Sequence, residues 1–297
     1  MARIIPNTYI IGAPKCGTTS LASWLAAHPD VFMSNPKEPY FFCRPSLQIE
    51  GIHTLEKYSA LFEDANGKSV VAEASTATLY DETALPLVKQ AAPDARLIVM
   101  LRDPVDMVLS WHAESVRQMR EDLLSPVEAW RAIGDRRNGR RILSKCPDPI
   151  MLDYFHMGSL GTQLERVFSL YPRNQVHVAF LDDFIAAPRK AWCSLLEFLG
   201  LDDDGRESFP AENRGYLPKH LAAYRAIRLN TSRLKKLLGI KRSTGLVAQL
   251  TSSMGVAYSK HSLPAEFLSE LRSAFEPELQ KLEQSTGRDL TCWRRAL

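Results

Sequence analysis

The chain has 297 residues, of which 45% are hydrophobic and 24% charged, with a formal net charge of +3. This composition excludes a disordered chain, a collagen and a small disulfide-stapled secreted domain. The length suits one large domain or two small ones. Because no internal repeat or low-complexity tract is visible, we predict a single domain over residues 1–297, with a helical C-terminal section from about residue 217.

Short apolar segments predict β-strands, and each is followed by a segment with helical periodicity. The predicted strands cover residues 8–11, 69–72, 97–101 and 176–181. The predicted helices cover residues 18–27, 104–120, 152–170, 188–199, 219–238 and 264–284. Long loops are predicted over 136–149 and 201–218. This alternation indicates an α/β fold of three layers, with a central, mostly parallel sheet flanked by helices.

Basic residues are concentrated in two segments that contain no acidic residue. Five Lys or Arg lie between residues 136 and 145, and nine lie between 214 and 242. The remainder of the chain is net acidic, so the two segments suggest anionic ligands. The alternative left open is that they form solvated faces of helices and loops.

The cysteines and the apolar runs bear on location. The five cysteines are scattered, and neither a CxxC pair nor an HExxH motif occurs. We therefore predict no zinc site and no disulfide framework, which fits reduced thiols in the cytoplasm. No apolar run is long enough to span a bilayer, and no signal-peptide pattern is present, so a soluble cytoplasmic protein is expected.

The first predicted strand leads into a glycine-containing loop at the start of a helix. The loop reads Gly12-Ala13-Pro14-Lys15-Cys16-Gly17, followed by Thr18-Thr19-Ser20. A strand, a tight loop and a helix N-terminus form an anion site, because free backbone N–H groups and the helix dipole meet there. The glycine spacing is that of a nucleotide P-loop, but the lysine lies inside the loop instead of after the second glycine. This difference argues against an ordinary ATPase, whose lysine reaches the β- and γ-phosphates.

A second phosphate site is predicted after the strand over 97–101. Arg102 would lie at the carboxyl edge of the sheet, where open α/β folds bind ligands. Asp103 and Pro104 suit the first positions of a helix, and Ser110 follows two helical turns later. An arginine fork with a hydroxyl suits a phosphate monoester.

These motifs resemble those of sulfotransferases that use 3′-phosphoadenosine 5′-phosphosulfate (PAPS). The loop around Lys15 resembles the family's 5′-phosphosulfate loop, and Arg102 with Ser110 resembles its 3′-phosphate site. The resemblance implies a P-loop-like fold, PAPS as cofactor, adenosine 3′,5′-bisphosphate (PAP) as product and a catalytic contact from Lys15 to the bridging oxygen. The implied cofactor-binding residues are Lys15, Cys16, Gly17, Thr18, Thr19, Ser20, Arg102, Ser110, Arg214 and Lys219. Within this set, Cys16 is interpreted as a small residue that fills the loop, and Arg214 with Lys219 as part of a lid.

The acceptor side is predicted around Glu38. The stretch Lys37-Glu38-Pro39-Tyr40-Phe41-Phe42 resembles the Lys-Glu-x-x-Phe-Phe element of heparan sulfate and related carbohydrate sulfotransferases. The resemblance implies that Glu38 is the catalytic base. The chain departs from the family twice: Tyr40 stands where a histidine is frequent, and Ala74 where a Glu-Lys-Ser/Thr element has its lysine. His112 is an alternative base, although a structural role fits it better.

The expected activity is transfer of a sulfuryl group from PAPS to a hydroxyl or amine acceptor, on a carbohydrate or another small-molecule or lipid-linked compound. No metal and no nucleic acid are expected to take part. Residues 136–145 are the candidate acceptor-side gate, and peripheral membrane contact is the open alternative for residues 225–242. Two other readings compete: a P-loop NTPase or small-molecule kinase, and a membrane- or nucleic-acid-binding protein acting through residues 214–242. The acceptor and the oligomeric state are left open.

Overall fold

The computed structural model describes residues 4–212, 216–218, 255–257 and 263–295. The chain falls into two compact units. The first unit comprises Met1–Val108, Phe155–Asn213 and Leu268–Leu297, and the second comprises Leu109–Tyr154 and Arg214–Phe267. A single sulfotransferase domain over residues 1–297 stays a prediction.

A five-stranded parallel sheet forms the centre of the first unit. Its strands are β1 (Thr8–Gly12), β2 (Val31–Met33), β3 (Val70–Ala74), β4 (Arg96–Leu101) and β5 (Val176–Phe180). Their spatial order is β2-β3-β1-β4-β5, and every neighbouring pair is parallel. All residues of the central strand β1 are buried, as expected for a parallel sheet covered on both faces.

Helices occur in both units, and several of them pack on the sheet of the first unit. The described α-helices are α1 (Thr18–Ala26), α2 (Leu55–Ala60), α3 (Ala77–Tyr80), α4 (Ala84–Ala91), α5 (Pro104–Arg117), α6 (Pro126–Arg131), α7 (Ile133–Arg137), α8 (Tyr154–Gly158), α9 (Leu160–Leu170), α10 (Leu181–Ala186), α11 (Pro188–Leu199), α12 (Ala265–Thr286) and α13 (Thr291–Arg294). In the first unit, α1, α3, α10 and α11 pack on the sheet. The predicted α/β class, with a central parallel sheet flanked by helices, is therefore confirmed. The second unit also has a two-stranded antiparallel sheet, β6 (Tyr216–Pro218) with β7 (Gly255–Ala257).

Three sequence predictions need correction, and one strand was missed. The helix predicted over 152–170 is divided into a 3-10 turn (Pro149–Leu152), α8 and α9. The division between the two α-helices falls at Ser159, whose hydroxyl donates to the Phe155 carbonyl at 2.8 Å and whose ψ of 55° is not helical. Strand β2 was not predicted, because three residues are too few to show a period of two. The loop predicted from residue 136 begins after α7, and the loop predicted over 201–218 ends in strand β6. The helix predicted over 219–238 lies outside the described residues.

The carboxyl ends of β3, β1 and β4 lie side by side at one edge of the sheet. The turns that follow them are tied to neighbouring strands by backbone hydrogen bonds. Ala13 N–H donates to the Met100 carbonyl at 2.5 Å, and Ser75 N–H donates to the Ile10 carbonyl at 3.1 Å. This edge is where open parallel sheets bind their ligands, so the segments after these three strands form the candidate site.

Candidate active site

The loop after β1 ends in a helix N-terminus with its first backbone N–H groups directed out of the helix. Gly17 precedes α1 with a φ of 87°, a left-handed conformation that glycine adopts without a steric penalty. The first helical hydrogen bond runs from Leu21 N–H to the Gly17 carbonyl at 3.1 Å. The N–H groups before Leu21 therefore have no partner within α1, and the positive end of the helix dipole lies at the same place. This is the arrangement that binds a phosphate.

Lys15 and Cys16 occupy the loop in different ways. Lys15 has a φ of 64°, which is uncommon for a residue with a side chain and indicates a locally strained backbone. Cys16 is fully buried, and its thiol lies 3.6 Å from the Pro14 carbonyl oxygen. Burial raises the pKa of Cys16 to about 12. Its thiol is thus neutral at ordinary pH, in agreement with the interpretation of Cys16 as a residue that fills the loop.

We expect the five thiols to react with iodoacetamide in an order set by this burial. At pH 8 a thiol with a pKa near 12 is ionised to about one part in ten thousand. Cys292 is exposed, whereas Cys16, Cys43 and Cys146 are buried. Peptide mass spectrometry after brief labelling of the native protein should find Cys292 modified first and Cys16 protected. In urea all five should react at similar rates. Rapid native alkylation of Cys16 would contradict the packing of the loop.

Arg102 lies beside the phosphate loop, immediately after β4. Its Nη1 donates to the Lys15 carbonyl at 3.5 Å, and its Nη2 lies 3.5 Å from Oδ2 of Asp106. Both contacts are long, so they hold the guanidinium weakly. A phosphate could therefore replace them with short, charge-assisted hydrogen bonds.

The other residues predicted to bind the cofactor fall into three groups. Thr18 is buried in the first turn of α1, and Thr19 beside it is half-buried. Ser110 is half-buried on α5 and belongs to the second unit. Arg214 and Lys219 lie outside the described residues.

Ser20 has a partner that the sequence did not reveal. Its hydroxyl accepts a hydrogen bond from Glu212 N–H at 2.9 Å. Two further bonds join the segment 201–212 to the same part of the first unit: Trp24 Nε1–H donates to the Pro210 carbonyl at 3.1 Å, and the His28 ring lies 3.0 Å from the Asp202 carbonyl oxygen. The contact of Ser20 with this segment gives it a structural role at the start of α1.

The carboxylate of Glu38, the predicted catalytic base, accepts hydrogen bonds from three side chains. Lys37 Nζ donates to Oε1 of Glu38 at 2.7 Å, and the Tyr40 hydroxyl donates to Oε2 at 2.7 Å. The Thr76 hydroxyl donates to Oε1 at 3.2 Å. Thr76 lies in the turn after β3, so its hydrogen bond links the Glu38 carboxylate to the edge of the sheet. In the sequence, residues 73–76 differ from the family element by the alanine at residue 74. The sequence does not indicate the contact that Thr76 makes with Glu38.

Glu73 lies next to this group but inside the protein. It is fully buried on β3, facing the Tyr58 and Ser75 hydroxyls, and burial raises its pKa to about 7. Ala74 is also fully buried. The position where the resemblance implies a lysine is therefore occupied here by a small side chain in the core.

His112 has a structural environment, which favours the structural interpretation over the role of a base. Its ring is 1% exposed, and Nε2 lies 2.8 Å from the Leu123 carbonyl oxygen. Burial lowers the pKa of His112. Tyr154 packs edge-on against the ring at 5.8 Å.

The basic segment over 136–145 is mostly occupied by ion pairs within the second unit. Arg136 is buried, and its guanidinium lies 2.7 Å from the Glu121 carboxylate. Arg137 pairs with Asp153, and Arg140 with Asp135. Within the candidate acceptor-side gate over 136–145, Arg136 is thus not available to a ligand, because its charge is paired inside the protein.

Comparison with known proteins identifies the family. A family model described as a sulfotransferase domain matches residues 6–213, which is more than half of the chain. The chain belongs to the sulfotransferase family. The resemblance found in the sequence is thus confirmed.

Two curated relatives and one solved structure show how far the similarity extends. The chain is 33% identical to carbohydrate sulfotransferase 15 of Mus musculus, in a match covering 36% of this chain and 27% of the relative. It is 23% identical to heparan sulfate glucosamine 3-O-sulfotransferase 3B1 of the same species, covering 96% of this chain and 64% of the relative. The crystal structure of a sulfotransferase from Alicyclobacillus acidocaldarius superposes with a TM-score of 0.72 at 26% identity, covering 98% of this chain and all of that one. The chain thus matches about a quarter of the length of the first relative.

Every helix in the described ranges is too short or too polar to cross a bilayer. In the same ranges, no group of three or more His, Cys, Asp or Glu side chains is arranged to hold a metal ion.

Proposed function

We propose that this sulfotransferase-family chain transfers a sulfuryl group from PAPS to a hydroxyl or amine of a carbohydrate or other small-molecule acceptor. The observation that carries the proposal is the loop around Lys15 at the N-terminus of α1, with the guanidinium of Arg102 beside it. Family membership supports PAPS as the sulfuryl donor. The names of the curated relatives support a carbohydrate acceptor.

The loop residues divide the binding of the nucleotide between them. The N–H group of Gly17 and the hydroxyls of Thr18 and Thr19 are proposed to hold the 5′-phosphate, whereas the N–H of Cys16 donates to the Ala13 carbonyl at 3.3 Å. The weakly held guanidinium of Arg102 is proposed to bind the 3′-phosphate. Contacts from Ser20, Ser110, Arg214 and Lys219 stay predictions.

Two side chains of this chain are proposed to act on the reacting atoms. When bound, PAPS supplies an activated sulfur whose bond to the 5′-phosphate oxygen breaks as the acceptor oxygen or nitrogen bonds to it. The ammonium of Lys15 neutralises the charge that develops on the departing phosphate oxygen. The carboxylate of Glu38 takes the proton that the acceptor loses. The ammonium of Lys15 and the carboxylate of Glu38 both lie on turns at one edge of the sheet. Because the sheet holds these turns in place, little conformational entropy is lost in ordering the two groups during the reaction.

The cysteines support a location for the protein. All five are free thiols, and three of them are buried. Free thiols persist in reducing compartments, and on this ground we propose a cytoplasmic location. Peripheral membrane contact through residues 225–242 is not part of this proposal, because that segment lies outside the described residues.

The proposal is tested with the nucleotide and with acceptors of known composition. Isothermal titration calorimetry should detect binding of PAP without magnesium. Radiolabelled [35S]PAPS should then transfer label to one of heparosan, chondroitin or p-nitrophenol. Magnesium-dependent binding of ATP with no affinity for PAP would contradict the proposal and favour an NTPase or kinase. Binding of anionic vesicles or RNA with no nucleotide affinity would favour the binding-protein alternative.

A further inference from the structure

The carboxylate of Glu38 is held by donors from both sides of the acceptor turn. Lys37 and Thr76 donate to Oε1, at 2.7 and 3.2 Å. Tyr40 donates to Oε2 at 2.7 Å. Each carboxylate oxygen can accept about two hydrogen bonds. The three contacts therefore fill Oε1 and leave one accepting direction on Oε2.

Tyr40 is itself fixed at both ends. Its backbone N–H donates to the Ser75 hydroxyl at 3.2 Å, and its own hydroxyl reaches Glu38. Glu38 and Tyr40 have φ angles of 62° and 51°, a left-handed conformation that residues with side chains rarely adopt. Such a conformation persists only where surrounding contacts impose it. Here Ser75 and Thr76, the two residues after β3, supply those contacts.

The turn remains open enough for an acceptor to reach it. The side chain of Glu38 is 32% exposed, whereas Thr76 is buried. Because the donors fill Oε1, Oε2 is the carboxylate oxygen that can still accept a hydrogen bond from an acceptor.

We propose that Tyr40 and Thr76 are positioning residues that orient Glu38, and that Oε2 of Glu38 is the oxygen that accepts the acceptor proton. This inference rests on the proposed function. It assigns to the Tyr40 hydroxyl the place where the family resemblance implies a histidine, and it gives Thr76 a task that the sequence motif did not suggest.

A tyrosine and a histidine at residue 40 would differ in how they hold the Glu38 carboxylate as the pH changes. Desolvation and the neighbouring Glu38 carboxylate raise the pKa of Tyr40 well above its ordinary value. The hydroxyl of Tyr40 thus keeps its proton across the neutral pH range and continues to donate a hydrogen bond to Glu38. An imidazole would gain a second proton near pH 6.5, and its positive charge would then weaken the base.

The central test compares Tyr40→Phe and Thr76→Val in the wild type and in Glu38→Gln. We expect each single variant to lower kcat about 10- to 100-fold, with the Kd for PAP unchanged. In the Glu38→Gln background neither change should lower kcat further, because both residues act through Glu38. Tyr171→Phe is the matched control, since Tyr171 is buried and its hydroxyl makes no hydrogen bond among the described residues. Wild-type kcat in Tyr40→Phe, or equal losses with and without Glu38, would overturn the proposal.

Two further measurements separate orientation from a purely structural role. Tyr40→His should restore part of kcat and add a fall in rate below about pH 6.5 that the wild type lacks. Crystal structures should show the Glu38 carboxylate of the Tyr40→Phe/Thr76→Val variant displaced by more than about 0.5 Å, with the Lys15 loop unchanged. An undisplaced carboxylate would overturn the proposal. If the wild type neither binds PAP nor transfers label, the proposed function fails, and the crystal structures still decide whether these residues orient Glu38.

Discussion

Replacing Lys15 with alanine should lower kcat for transfer of label from [35S]PAPS about 10²- to 10³-fold. The ammonium is proposed to meet the charge on the departing phosphate oxygen, so its loss should act mainly on the rate. Affinity for PAP should fall less, because the loop N–H groups and Arg102 keep their places. The fold should be little affected, since lysine and alanine both carry a Cβ and therefore pay a similar cost for the left-handed backbone at residue 15.

An exposed lysine provides the control for this experiment. Lys190 lies on α11 with its side chain in solvent, so Lys190→Ala removes the same charge away from the loop. Its kcat should equal that of the wild type. Turnover within twofold of wild type in Lys15→Ala would contradict the assignment of Lys15 to the departing oxygen. A large loss in both variants would point to long-range electrostatics.

Replacing Arg136 with alanine should lower the free energy of unfolding by about 3–5 kcal/mol. The guanidinium of Arg136 and the carboxylate of Glu121 are each about 1% exposed, with 2.7 Å between their nearest atoms. Removing the arginine leaves a buried carboxylate that still accepts from the Tyr154 hydroxyl at 2.8 Å and from the N–H groups of Asp122 and Leu123 at 2.9 and 3.0 Å, but that has lost the Arg136 cation. A buried carboxylate that loses its guanidinium partner is costly, because water does not replace the lost charge interaction. Urea denaturation followed by circular dichroism measures the loss.

Arg140 gives the matched exposed pair. Its guanidinium lies 2.8 Å from Asp135, with side-chain exposures of 65% and 37%. Arg140→Ala should therefore lower the free energy of unfolding much less than Arg136→Ala. Equal losses for the two variants would contradict the burial of Arg136.

The phosphate side of the fold was predictable because its signals are local. The apolar strand β1, the two glycines and the helix that starts at Thr18 follow one another within a few residues, and each has its own preference. Strands β4 and β5 were found for the same reason. Strand β2 was not, because its three residues form a strand only through pairing with β3.

The acceptor side depends on contacts between residues far apart in the chain. Glu38 could be singled out from its neighbours in sequence, but its contact with Thr76 spans 38 residues. The burial of Arg136 was hidden for a similar reason. A run of charges resembles a solvated surface, and its partner Glu121 lies outside the run. Which predicted residues contact the nucleotide stays a prediction.

The left-handed backbone at Lys15, Glu38 and Tyr40 limits how these positions can drift in evolution and be probed by mutagenesis. β-Branched residues fit this conformation poorly, whereas glycine and asparagine tolerate it. A valine at residue 38 would lose the carboxylate and disturb the turn together, so its effect could not be divided between the two. Asparagine at residue 38 removes the base while keeping the backbone preference. In saturation libraries scored for folding and not for activity, tolerated substitutions at the three positions should therefore be enriched in glycine, asparagine and aspartate.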